Sequence, residues 1–125
     1  MRQPSSIIST AASIAVMLGS LSFTPAATAG EGAAKSIVEQ GKELAFNRKK
    51  GNCLACHQIE GGKLAGNIGP PLVAMKARYP DKAKLRAQIW DATQANPNTI
   101  MPPFGRHNIL SESEIDKIVE FIYTL

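Results

Sequence analysis

The chain has 125 residues, 14 Lys and Arg against 10 Asp and Glu, and a formal net charge of +4. Two Cys and two His are too few for a disulfide framework, and a four-ligand zinc site would use every one of them at an unusual spacing. The modest basic excess has no aromatic residues interleaved with it, which argues against a nucleic-acid surface.

Residues 1–29 read as a secretory signal. Arg2 supplies a positive start, Ile7 to Phe23 carries no charge, and Ala27-Thr28-Ala29 offers a small-residue cleavage site before Gly30. Ser, Thr and Gly19 dilute the apolar stretch, which favours removal over anchoring. Cleavage there leaves 30–125 as a single domain with no membrane span and a net charge of +3, exported to the periplasm.

A first helix is expected from Ser36, where Ser36 and Glu39 form a capping box, and Ile37, Gly41, Leu44 and Ala45 then share a face. It is expected to run into Arg48-Lys49-Lys50 and stop at Gly51. Cys53-Leu54-Ala55-Cys56-His57 follows and reads C-x-x-C-H, the attachment sequence of a c-type haem. Two thiols at that spacing can add to the two vinyl groups of one porphyrin, and the adjacent imidazole can ligate its iron. The βαβ pattern that would suit a thioredoxin-like dithiol does not surround this segment. One covalently attached haem c is therefore expected. Its apolar mass would complete the thin core of so short a chain, so the apo-protein should be largely unfolded.

Glycines and prolines make 58–71 a loop, and Leu72 to Tyr79 a short helix ending at Pro80. Asp81 caps a further helix through Trp90 to Ala92, with Leu85, Ile89 and Ala92 on one face, until Asn96-Pro97 stops it. A loop with Met101-Pro102-Pro103 leads to a second capping box, Ser111 to Glu114, and a last helix buried along Ile115, Ile118, Val119 and Ile122. No segment alternates as a strand does, so the fold class is all-α.

With His57 as one iron ligand, a second is needed if the protein only carries electrons. Met1 and Met17 would leave with the signal. Met75 stands in a helical turn and suits packing, whereas Met101 stands in a loop that Pro102 and Pro103 stiffen. Met101 is the expected ligand, with His107 as the bis-His competitor. A thioether opposite histidine raises the potential. Arg78, Arg86 and Trp90 are candidate partners for the haem propionates. Lys82, Lys84 and Arg86, and the Arg48–Lys50 run, are either docking surfaces or ordinary solvated faces.

The order of these features resembles class I cytochrome c, and Gly69-Pro70-Pro71-Leu72 is similar to that family's G-P-x-L segment. The resemblance implies that the Pro70 carbonyl orients His57 and that Gly41 packs on the last helix near Phe121 or Ile122. Residues 47–50 make four more than usual between Gly41 and Cys53.

Gly51–His57, Ala65–Leu72, Leu85–Asp91 and Met101–His107 together are similar to SoxX, the monohaem subunits of the SoxAX cytochromes of bacterial sulfur oxidation. That resemblance implies a periplasmic heterodimer with a SoxA-like haem subunit. Such a complex, an L-cysteine S-thiosulfotransferase, joins thiosulfate to a cysteine of the carrier SoxYZ. Electrons then pass through this chain's haem, with His57 and Met101 as iron ligands, to a soluble cytochrome c. No residue of this chain would be catalytic. A free-standing electron carrier and a small-ligand haem enzyme such as a peroxidase are the alternatives.

Overall fold

The computed structural model describes residues 34–125. The proposed signal and its cleavage site lie outside the described residues. Four α-helices follow one another, and no strand occurs among the described residues: α1 (Ile37–Phe46), α2 (Met75–Arg78), α3 (Lys82–Trp90) and α4 (Glu112–Ile122). Two 3₁₀ turns, Cys53–Ala55 and Ala92–Gln94, complete the regular structure. No helix among the described residues is long and apolar enough to cross a membrane.

Both capping boxes form. Ser36 accepts from the Glu39 amide while the Glu39 carboxylate takes the Ser36 N–H, and Ser111 and Glu114 do the same for α4. α1 ends earlier than its basic tail suggests, at Phe46. The Asn47 side chain accepts from the Lys49 N–H, and the Asn47 carbonyl takes the N–H groups of Lys50 and Asn52. This Asn-centred turn competes successfully with another helical turn and turns Arg48–Lys50 toward the Cys53 segment. α2 is shorter than expected as well, because Ala74 adopts φ 52°, a left-handed conformation that a helix interior cannot contain. α3 stops at Trp90, since Asp91 leaves helical geometry and caps the 3₁₀ turn after it through the Thr93 N–H.

α1 crosses α4 at Gly41, where a Cβ would collide with the Lys117 carbonyl and press on Phe121. Backbone approach of this kind explains a glycine in a helix interior that otherwise costs about 1 kcal/mol. Phe46 and Phe121 meet edge to face nearby, with centroids 5.8 Å apart. Ile115, Ile118, Val119 and Ile122 are all buried, as are Leu85, Ile89 and Ala92. The chain end is tied in: Leu125 O accepts from the Met75 N–H at 2.8 Å, and Tyr123 OH donates to Pro80 O at 3.2 Å.

Candidate functional site

Between α2, α3, α4 and the connecting loops lies a cavity of about 510 Å³. Cys53, Cys56, His57 and Met101 all line it. The sequence places Met101 more than forty residues beyond His57, and the fold brings the two to one cavity.

Cys53 opens a 3₁₀ turn and Cys56 follows its end, both half-buried, with the His57 N–H donating back to Cys53 O at 2.9 Å. Burial pushes the Cys53 thiol up to about 11, as its place against the cavity wall requires. His57 Nδ1 stands 2.7 Å from the Pro70 carbonyl oxygen. A carbonyl can only accept, so Nδ1 carries the proton and Nε2 keeps its lone pair for a metal. Gly69 lies flat against the imidazole, where any side chain would strike the ring. The Pro70 carbonyl and Gly69 thus hold the ring on two sides.

Met101 is half-buried, and its N–H donates to Thr99 Oγ1 at 3.2 Å. Met75 also borders the cavity, but it is 2 % exposed and packed into the core, with the Arg78 guanidinium 3.5 Å from its sulfur. His107 is exposed on the surface and is not part of the cavity lining. The bis-His alternative therefore lacks a second imidazole at the cavity.

Of the three propionate candidates, Arg78 alone borders the cavity, and it also donates to Pro71 O at 2.8 Å. Arg86 is committed to Asp116 and Glu112 on α4, at 2.6 and 3.1 Å, and lies over the Trp90 ring. Lys82 is likewise paired with Glu120 at 3.0 Å. Two of the three basic residues considered for docking on α3 therefore tie that helix to α4. Arg48, Lys49 and Lys50 border the cavity mouth, and Lys50 is drawn onto Glu114 at 2.7 Å. Sequence reasoning missed this last tie, and it missed Thr99 and Gln88, two further polar residues that line the cavity. Asp91-Ala92-Thr93, an acidic cap two residues before its partner, is the local signal that could have revealed the early end of α3.

The residues fit a haem. The cavity is of cofactor size, its wall is mainly aliphatic, and two thiols and an oriented imidazole enter it from one short segment. No cluster of three or more His, Cys, Asp or Glu that could hold a metal ion occurs among the described residues.

The comparisons agree with this geometry. Residues 38–125 match the family described as Cytochrome c. An uncharacterized lipoprotein of Aquifex aeolicus (strain VF5) is 36 % identical over 76 residues. That alignment takes in 60 % of this chain and 37 % of the relative, so the chain spans well under half of that protein's length. Among solved structures, a chain of SoxXA from P. pantotrophus is similar with a TM-score of 0.64 and 28 % identity, over 74 % of this chain and 83 % of that one. The architecture is the all-α fold of class I cytochromes c, SoxX-like in its details. The chain belongs to the cytochrome c family, whose haem c is covalently bound, with Cys53 and Cys56 positioned for that attachment.

Proposed function

We propose that this chain is the electron-transfer haem subunit of a periplasmic SoxAX-type complex, made with a signal at 1–29 and active as the single domain 30–125. The observation that carries the electron-transfer reading is the convergence of Cys53, Cys56, His57 and Met101 on one apolar cavity. Similarity at TM-score 0.64 to a SoxXA chain supports the choice of complex.

In this reading Cys53 and Cys56 hold the porphyrin through thioethers, and His57 Nε2 and Met101 Sδ are the iron ligands. When bound, the haem supplies a one-electron ferric–ferrous couple. Pro70 keeps His57 in the right tautomer, and its hydrogen bond makes the imidazole a stronger donor. The Met101 thioether, a soft ligand, favours ferrous iron and raises the potential. Leu85, Ile89, Phe104 and Ile118 give the cavity an apolar wall, which would keep water and small ligands from a bound haem. These features favour a closed relay over a peroxidase.

The sulfur chemistry belongs to the partner. Both cysteines are consumed by attachment, so this chain offers no thiol to thiosulfate, and a SoxA-like haem subunit would couple it to the SoxYZ cysteine. Electrons would leave for a soluble cytochrome c. The test is reconstitution. Alone, the holoprotein should cycle between redox states yet fail to join thiosulfate to a carrier thiol, and adding the SoxA-like subunit should give turnover. Coupling by this chain alone would contradict the assignment. Redox cycling with no binding to the SoxA-like subunit would leave the free-standing carrier.

A further inference from the structure

The segment between α3 and α4 that carries Met101 is fastened at its later end to one spot, the C-terminus of α3. The Trp90 carbonyl accepts from the N–H groups of Gly105 and Arg106, at 3.0 and 3.4 Å. A Cβ on Gly105 would collide with the Trp90 indole, so a glycine is needed for the backbone to lie on that ring. Arg106 Nη1 reaches Asp91 Oδ2 at 3.1 Å and donates to Thr93 Oγ1 at 3.2 Å. Asp91 is 5 % exposed, and its carboxylate also accepts from the Thr93 N–H and the Gln94 side-chain amide. One buried carboxylate thus both ends α3 and receives the arginine of the loop. The indole is braced in turn: Arg86, bound to Asp116 and Glu112 of α4, lies 5.5 Å from its centroid. None of Trp90, Asp91, Gly105 and Arg106 lines the cavity, whereas Met101 and Phe104 do.

We propose that the Asp91–Arg106 pair and the seating of Gly105 on Trp90 act as a clamp that holds the 95–110 loop closed and so sets how firmly Met101 keeps its place as an iron ligand. The inference rests on Met101 being that ligand. Asp91 and Arg106 are positioning residues that act through the loop. An external ligand such as imidazole must displace Met101 before it can bind the iron. Its apparent affinity is therefore its intrinsic affinity multiplied by the fraction of molecules with the loop open. Any change that loosens the clamp without touching the cavity must raise that affinity in proportion. Arg106 is half-exposed, which makes the pair itself modest, and the Asp91 carboxylate keeps its Thr93 and Gln94 donors when the arginine is lost.

The experiment is imidazole titration of the ferric holoprotein, followed by absorption, with the far-red iron–thioether band recorded first. Arg106→Gln should bind imidazole about three- to tenfold more tightly than the wild type. Arg106→Lys, which keeps the charge, should fall between the two, and Gly105→Ala should give an increase at least as large as Arg106→Gln. A wild-type protein without the far-red band would overturn the ligand reading and the clamp together. The band present in the wild type, with imidazole affinity unchanged in both Arg106→Gln and Gly105→Ala, would overturn the clamp alone. That result would hold even if the variants unfolded at lower denaturant, since a purely structural role predicts that loss and no change in affinity.

Discussion

Cys53, Cys56 and His57 could be read from the sequence because their chemistry is local: the spacing of two thiols and an imidazole is fixed before the chain folds. Met101 was singled out by a different route, elimination among four thioethers helped by the stiffness of Pro102-Pro103, and it lines the same cavity. Propionate partners were not legible, since which of Arg78 and Arg86 borders the cavity depends on ion pairs with α4 that no local pattern announces. The Gly69–Pro70 pair gives a prediction at this scale. Gly69→Ala puts a methyl against the imidazole and pulls His57 away from the Pro70 carbonyl. A less basic imidazole stabilises ferric iron less, so the potential should rise, by about 59 mV for each tenfold change in relative affinity. Redox titration of the variant checks this, and a potential equal to that of the wild type would contradict the role given to Pro70.

Helix starts were more legible than helix ends. Ser36 and Ser111 announce their capping boxes within four residues, and both form. The end of α1 depends on Asn47 preferring its own turn to one more helical hydrogen bond, and the start of α2 depends on the left-handed Ala74, neither of which periodicity reports. Two predictions belong to these elements. Gly41→Ala forces α1 away from the Lys117 carbonyl, and overpacking of this kind should cost about 1–3 kcal/mol, measured by denaturant unfolding of the holoprotein. Glu114 is held below its usual carboxylate range, first by the Lys50 ammonium and then by the Ser111 N–H. Its folded pKa is depressed, so the stability it adds is fully present above the ordinary carboxylate value of 4.5 and is lost as pH falls through the lowered one. Glu114→Gln should therefore lower stability at neutral pH and flatten its decline in acid. An acid limb as steep as that of the wild type would contradict the Lys50–Glu114 tie.

For the whole molecule, the all-α class followed from three segments with a one-sided apolar face, a short helix before Pro80 and the want of any alternating segment, and Ile115, Ile118, Val119 and Ile122 were assigned to the core correctly. The cavity was foreseen as a need rather than as a place: so short a chain has a thin core, and the fold leaves about 510 Å³ of largely apolar space at its centre. Cys53→Ser with Cys56→Ser should deprive the chain of the group that fills this space. That variant should accumulate as an expanded species with reduced helical circular dichroism, and a native-like spectrum would show that the core is sufficient alone. The central claim, that His57 and Met101 together hold the iron of an electron relay, meets its most direct test in the absorption spectrum of the ferric holoprotein. The account predicts a weak far-red iron–thioether band that is abolished, with a lowered potential, in Met101→Ala, and retained in His107→Ala and Met75→Leu. A band that survives Met101→Ala, or that disappears in His107→Ala, would contradict it.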